Sequence, residues 1–262
     1  MAFVENQGVN IYWNEEGAGP PVLLIMGLGY NSAAWWRTRP VLAARYRTIA
    51  LDNRGVGRSG VPPGPYSIEW MASDAAAALA AAGAPRAHVF GISMGGMIAQ
   101  EFALRHPEKV SSLILGCTAP GGPNAVRAER QAIDMLTNRA NLSLEAAAEA
   151  AIPFIYDPDT PRVRIEEDLE RRRPWLPTPQ GYLAQLQAIF AWESYSRLPE
   201  IKAPTLVIHG QNDRLIPPGN GELLASRIPG AQLTLIPHAG HLFTTDQPEA
   251  ASRAILEFLD AQ

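Results

Sequence analysis

Short, almost uninterrupted apolar runs separated by helical patterns set the rhythm of the chain. Pro21 to Met26, Tyr46 to Leu51, Ala87 to Phe90, Val110 to Cys117, Pro204 to His209 and Ala231 to Ile236 each read as a strand. Runs without polar alternation belong to strands covered on both faces, the situation of a parallel sheet between helices. Val9 to Trp13 instead alternates apolar and polar positions and predicts an early antiparallel strand. Between the strands, apolar residues recur at helical spacing. Ala33 to Ala44 predicts a helix interrupted at Pro40, and Ile68 to Ala82 one capped by Ser67 and ended by Gly83. Further helices are expected at Met97 to His106, near 220–228 and at Pro248 to Leu259. Alternating strands and helices predict an α/β fold with a doubly wound parallel sheet and right-handed crossovers.

The alternation stops after Cys117. Ala119-Pro120-Gly121-Gly122-Pro123 breaks it, and from there to about Pro199 the pattern yields helices only, near 124–139, 143–151, 161–173 and 179–193. The expected organisation is a core of residues 1–119 and 200–262 with a helical cap over 120–199.

Composition narrows the field. With 262 residues the chain suits one α/β domain carrying an insertion, and at that length roughly three quarters of the unfolded surface can be buried. Apolar residues at 47% and charged residues at 18% fit an ordinary folded protein. A net charge of −4 offers no electrostatic footprint for nucleic acid. No apolar run approaches the roughly 18 residues needed to span a bilayer. The start, Met1-Ala2-Phe3-Val4-Glu5-Asn6, lacks the basic-then-apolar pattern of a secretory signal, so the cytoplasm is the expected compartment. Cys117, the only cysteine, has no partner for an internal disulfide and is expected to be buried and structural.

The candidate chemistry begins at Gly91-Ile92-Ser93-Met94-Gly95-Gly96, where a serine sits between a predicted strand and a predicted helix. This is the G-x-S-x-G nucleophile-elbow spacing. A side chain at 91 or 95 would collide with the neighbouring strand or helix, and the turn holds the serine in a strained conformation with its hydroxyl above the sheet. A serine hydroxyl needs a base to take its proton and an acid to orient that base. Later strand ends supply both in the order Ser, Asp, His: Asp213 in Gly210-Gln211-Asn212-Asp213, and His241 in Pro237-His238-Ala239-Gly240-His241.

Competing readings are weaker. His238 and His241 have the H-x-x-H spacing of a metal pair, yet Pro237 and Gly240 argue against a helix and no third ligand follows, so no metal is expected. Gly55-Val56-Gly57-Arg58-Ser59-Gly60 is literally G-x-G-x-x-G, but Val61-Pro62-Pro63-Gly64-Pro65 cannot open the helix that a dinucleotide site requires. Asp52 and Arg54 are expected to fix that loop. His88, His106 and His209 are assigned to packing, and Arg171-Arg172-Arg173 to a solvated helix end.

On these residues the chain resembles the α/β-hydrolase superfamily, in the serine esterase and lactonase-like branch. The resemblance rests on Met26-Gly27-Leu28-Gly29, on Asp52-Asn53-Arg54-Gly55-Val56-Gly57-Arg58-Ser59, on the elbow, on Gly210 to Pro217 and on Gly240-His241, and it covers nearly the whole chain. It implies an eight-stranded, mostly parallel sheet with a helical lid after strand six. It also implies Ser93 as nucleophile, His241 as base then acid, Asp213 as the orienting carboxylate, and the backbone N–H groups of Leu28 and Met94 as the oxyanion hole. Many relatives carry histidine where this chain has Met26, a residue that supports the loop, so the loop's hydrogen bonding is expected to differ here.

The implied activity is hydrolysis of small to medium carboxylic esters through an acyl-enzyme, with no cofactor and a small ester or lactone as the only expected partner. Serine at 93, where epoxide hydrolases and haloalkane dehalogenases need aspartate, disfavours those branches. Lactonases, enol-lactonases and C–C hydrolases of ring-cleavage products remain alternatives, though the last typically carry tryptophan where this chain has Leu242. A non-catalytic ligand receptor on the same fold is the alternative of another class. Gly27, Phe154, Trp192, Leu215 and Leu242 are the expected pocket residues, Phe154 and Trp192 belonging to a set of cap aromatics with Tyr156, Trp175, Tyr182 and Phe190. Oligomeric state is left open.

Overall fold

In the computed structural model, which describes residues 2–262, the apolar runs become strands of one sheet, buried except for the last, which lies partly exposed at its edge. Its strands are β1 (Ala2–Asn6), β2 (Val9–Glu16), β3 (Pro21–Ile25), β4 (Arg47–Leu51), β5 (Ala87–Ile92), β6 (Val110–Gly116), β7 (Thr205–Gly210) and β8 (Gln232–Ile236). They lie in the order β1-β2-β4-β3-β5-β6-β7-β8. β1 and β2 are antiparallel to each other, β2 is antiparallel to β4, and every later pairing is parallel. Two strands differ from the sequence pattern. β1 was not expected; it is short and half-exposed at the sheet edge. β2 runs past Trp13 because its polar tail pairs with β4, Glu15 opposite Ile49 and Glu16 opposite Thr48.

Helices cover both faces. They are α1 (Arg39–Ala43), α2 (Ile68–Ala81), α3 (Met94–Arg105), α4 (Arg130–Asn138), α5 (Leu144–Ile155), α6 (Arg162–Arg172), α7 (Pro179–Ala191), α8 (Gly219–Arg227), α9 (Phe243–Asp246) and α10 (Pro248–Asp260). Strand side chains alternate between two cores. Leu23, Ile49, Val89, Leu113 and Val207 pack under α2, α3 and α8, while Leu24, Ala50, Phe90, Ile114 and Ile208 pack under α1 and α10. Ser67 caps α2 by accepting from Trp70 N–H at 3.1 Å. The single helix expected over 33–44 is instead a 3-10 turn at Ser32–Trp36 followed by α1. Pro40 does not interrupt α1 but sits in its first turn, where a missing N–H leaves no bond unmade.

Between β6 and β7 the described residues form α4 to α7 and no strand beyond a single bridge, Gly121 to Glu193. α4 starts at Arg130, later than the expected 124; before it Val126 is tied outside any helix by Asn220, whose side chain bonds both its N–H and its C=O at 2.8 Å. Buried carboxylates fasten this helical segment to the loops and short helices beside the sheet. Asp168 on α6 accepts from Trp36 Nε1 at 2.9 Å, Arg37 Nε at 3.2 Å and Thr245 Oγ1 at 2.6 Å. Arg172, expected at a solvated helix end, is buried with its guanidinium 3.8 Å from the Tyr30 ring centre. As expected of loop-fixing residues, Arg54 pairs with Asp74 of α2 at 2.6 Å and Asp52 accepts from the backbone N–H groups of Ser32 and Arg58. No helix among the described residues is long and apolar enough to cross a membrane.

Asp246 is the second fastening. Its Oδ2 accepts from Gly240 N–H at 2.7 Å and Asp157 N–H at 3.1 Å, and its Oδ1 from the Thr160 hydroxyl at 2.6 Å. Burial pushes its pKa from 3.8 up to about 6, the three hydrogen bonds pulling back and the charge of Asp157 adding to the rise. A carboxyl whose pKa is higher folded than unfolded holds its proton more tightly in the folded state. Its stabilising contribution is therefore full below 3.8 and lost as pH rises through about 6. The difference is worth about 3 kcal/mol. Asp246→Asn keeps both backbone N–H bonds and removes the titration, so its melting temperature relative to wild type is expected to rise between pH 4.5 and 7.5. A melting-temperature difference between variant and wild type that stays constant or falls over that range contradicts the assignment.

Candidate active site

Crowding at the end of β5 dictates the conformation of Ser93. The residue adopts φ 61° and ψ −124° between the last residue of β5 and the first of α3. That region is costly for a residue with a Cβ, by about 1–3 kcal/mol. The turn survives because its flanks are glycines pressed against backbone. A Cβ on Gly91 would lie 2.0 Å from the Gly95 carbonyl oxygen, and one on Gly95 2.1 Å from that of Ile25. Hydrogen bonds then lock the strained residue. Ser93 N–H donates to Gly116 C=O at 2.9 Å, and its C=O accepts from Gly96 N–H and from the Thr118 hydroxyl at 2.7 Å. A Cβ on Gly27 would sit 3.3 Å from Ser93 Oγ, so the β3 loop passes directly beside the hydroxyl.

Asp213 and His241 are brought together by their backbones. Gly210 ends β7 so close to the next loop that a Cβ there would lie 2.0 Å from the Gly240 carbonyl oxygen. Gln211 N–H donates to Ile236 C=O at 2.9 Å and Asn212 N–H to Ala239 C=O at 2.8 Å. With the loops stitched, His241 Nδ1 lies 2.8 Å from Asp213 Oδ2. The other carboxylate oxygen accepts from Leu215 N–H at 2.9 Å and Ile216 N–H at 2.8 Å. Burial alone would raise the pKa of Asp213, but the charge on His241 and the bonds from both neighbouring histidines outweigh it and hold the group well below the usual carboxylate range. An ionised carboxylate can only accept, so His241 Nδ1 carries the proton and Nε2 is left as the basic nitrogen.

His209 is the neighbour that the sequence pattern hid. Assigned to packing, it is buried with Nε2 2.8 Å from Ile216 C=O and 3.3 Å from Asp213 Oδ2, so it shares the carboxylate with His241. Its position four residues before Asp213, at the end of the same strand, was the available signal. Cys117 adds a sulfur that accepts from Gly210 N–H at 3.3 Å. Cys117, His209 and Asp213 hold potential metal-ligand atoms within 4.8 Å of one another. The donor set does not suit a cation: burial, then the charge of Asp213, pushes the thiol pKa up, and the carboxylate is already committed to N–H donors. His238 lies outside this cluster, exposed on the loop.

Two residues that line the same cavity as Ser93 carry backbone N–H groups left free. Met94 is the first residue of α3, where no intrahelical acceptor exists for its N–H. Leu28 N–H has no acceptor among the described residues. The loop carrying it is supported without the histidine that relatives place at Met26. Asn53 Nδ2 donates to Met26 C=O at 2.8 Å, Tyr30 N–H to Gly27 C=O at 3.1 Å, and Gly29 N–H to Gln185 Oε1 on α7 at 2.9 Å.

Ser93, Met94, Leu28 and His241 line one cavity of about 610 Å³. Gly27, Leu215 and Leu242 lie in its wall as expected of pocket residues. Phe154 and Trp192 do not. Trp192 is buried with its Nε1 donating to Glu101 at 2.9 Å, and Phe154 lies under the Arg214 guanidinium, 5.0 Å from ring centre to Cζ. Of the cap aromatics only Phe190 borders the cavity, joined by the aliphatic side chains of Ile133, Leu136 and Ile189. Helical periodicity marks an apolar face without saying which of two cores it meets. A second cavity, of about 660 Å³, lies among charged residues of the helical segment and touches none of these groups.

Comparison with known proteins agrees with this architecture. The family described as alpha/beta hydrolase fold matches residues 20–248. A candidate carbamate hydrolase, RutD, of Azorhizobium caulinodans is 32% identical over 98% of both chains. A thermophilic esterase of Thermogutta terrifontis, solved with malate bound, superposes with a TM-score of 0.86 at 32% identity, covering 99% of this chain and 96% of the other. The enol-lactonase of Burkholderia xenovorans LB400 superposes with a TM-score of 0.89 at 25% identity, covering 99% and 100%. With its eight-stranded sheet, its strained serine turn and a match along most of its length, the chain belongs to the alpha/beta hydrolase family.

Proposed function

We propose that the protein is a serine hydrolase that cleaves carboxylic esters of small to medium size through an acyl-enzyme. The observation that carries this reading is the 2.8 Å contact of buried Asp213 with His241, which lines the same cavity as Ser93. His241 Nε2 takes the Ser93 proton as Oγ attacks the carbonyl carbon. Negative charge gathers on the carbonyl oxygen, where the N–H groups of Leu28 and Met94 receive it. Collapse of the tetrahedral species expels the alcohol, which takes the proton from the imidazolium. Water then attacks the acyl-enzyme with the same residues in reversed roles, releasing the acid and free Ser93.

The cavity supports the choice of substrate. Its volume lies within the roughly 300–1,000 Å³ of small-molecule sites, and its walls are mostly aliphatic. Such a site favours an uncharged acyl chain of modest length. Residues 120–199 act in this reading as a lid, since α4 and α7 contribute wall residues above Ser93. The relatives bear names for carbamate, ester and lactone hydrolysis, and all three reactions begin with attack on a carbonyl carbon bonded to a heteroatom leaving group. A lactone opened by Ser93 would follow the same steps with its alcohol still tethered, and the enol-lactonase resemblance favours including it.

The test is turnover across p-nitrophenyl esters of increasing chain length, with lactones alongside. Repeated cycles on short and medium esters are expected; a single slow cycle would point to a ligand receptor. Ser93→Ala is expected to remove activity by at least about a thousandfold while changing stability by no more than about 1 kcal/mol. Asp213→Asn, which loses the tautomer that frees Nε2, is expected to fall about 10³- to 10⁴-fold in kcat. Substantial ester turnover in either variant would overturn the proposed roles.

A further inference from the structure

The loop Met26-Gly27-Leu28-Gly29-Tyr30 contains two glycines, and Gly29 stands at φ 69°. Glycine pairs leave a backbone free to rotate, so the direction of the Leu28 N–H has to be set by hydrogen bonds to the loop. Three successive peptides are each anchored. The Met26 carbonyl is held by Asn53, the Gly27 carbonyl by Tyr30 N–H, and the Gly29 N–H by Gln185. The first anchor comes from the loop after β4 and the second from within the loop itself. The third comes from α7, in the helical segment, 156 residues further along the chain.

Gln185 is fully buried and uses both ends of its amide. Oε1 accepts from Gly29 N–H at 2.9 Å and Nε2 donates to the Arg54 carbonyl at 2.7 Å. One partner is a donor and the other an acceptor, so only one amide orientation satisfies both. The seat of α7 is equally defined. Thr178 caps its first turn by accepting from Gly181 N–H at 3.1 Å. Gly181 meets Gly55 so closely that a Cβ on it would lie 2.0 Å from the Gly55 carbonyl oxygen. Two loops at the strand ends are thus bound to one helix of the segment through one side chain.

We propose that Gln185 is a positioning residue for the carbonyl-oxygen site: it fixes the 28–29 peptide so that Leu28 N–H stays aimed at the developing oxyanion. The inference rests on the serine-hydrolase reading above. It makes the seating of α7 a condition for full transition-state stabilisation. Without the bond, Gly29 N–H is a buried donor with no partner, and the peptide rotates to find one. The Leu28 N–H lies in the adjacent 27–28 peptide, which then keeps only the bond from Tyr30 N–H to the Gly27 carbonyl, and its aim loosens.

The substitution Gln185→Met keeps the volume and removes both bonds. The expected result, per serine titrated with a fluorophosphonate, is a kcat lower by about 10- to 100-fold on p-nitrophenyl butyrate, with KM within about threefold because the contact forms in the transition state. Inhibition by a butyl trifluoromethyl ketone, whose hemiketal oxyanion occupies the same place, is expected to weaken by the factor lost in kcat/KM. Gly181→Ala, which lifts α7 without altering any hydrogen-bonding group, is expected to give the same signature. A purely structural role would lower the number of titratable sites and leave kcat per site unchanged. Either folded variant with kcat per site within about twofold of wild type overturns the inference, while loss of dependence on Ser93 would instead overturn the reading beneath it. Should neither variant fold, hydrogen exchange of the wild type decides: the Gly29 amide is expected to exchange as slowly as the amides of α7, and exchange faster by orders of magnitude overturns the proposal.

Discussion

A serine held at φ 61° is the constraint on which the rest of the site depends. An L-residue remains there only when the surroundings leave it nowhere else to go. Here Gly91 and Gly95 let β5, α3 and the end of β3 approach within distances that no side chain would allow. The approach has three consequences at once. Ser93 lines the cavity, the first N–H of α3 is left without an intrahelical acceptor, and the Gly27 loop passes directly against the serine side chain. Packing of backbone against backbone, not any polar contact, creates the geometry. Hydrogen bonds such as that from Thr118 to the Ser93 carbonyl then hold it.

A second backbone contact, between Gly210 and Gly240, does for Asp213 and His241 what the turn does for the serine. The loops after β7 and β8 are joined by hydrogen bonds before either side chain is considered. Asp213 and His241 meet because their loops do. The carboxylate is buried, which alone would favour its neutral form, and it stays ionised because N–H donors and imidazoles surround it. The helical segment is tied to the same region by Asp168, Asp246 and Gln185, so the wall residues it lends to the cavity and the strand-end loops share their anchors.

Much of this was legible in the sequence, for identifiable reasons. Parallel strands between two helical layers must be apolar on both faces, so β3, β5, β6 and β7 stand out as runs. The elbow is readable because the close approach tolerates only glycine at 91 and 95. Other features arise from tertiary proximity that no local pattern carries. Gln185 is one polar residue in an otherwise ordinary helix, and its meaning comes from the contact of Gly181 with Gly55. His209 looks like strand packing until the turn brings its ring against Asp213. Arg172 reads as a solvated charge until Tyr30 lies against it. Phe154 on α5 and Trp192, just past the end of α7, are apolar positions in the expected segment, but Phe154 meets Arg214 and Trp192 bonds Glu101 instead of facing the cavity. β1 escaped because a short, half-exposed edge strand leaves only a weak alternation.

The central claim is that the Ser93 hydroxyl becomes covalently acylated in each cycle. Acid-quenching the protein during turnover of a slowly deacylating p-nitrophenyl ester, followed by peptide mass spectrometry, reads this directly. The account predicts one acyl group per chain on the peptide containing Ser93, appearing with the burst of p-nitrophenol. An acyl group on another residue, or steady turnover with no acylated peptide and no burst, would contradict it.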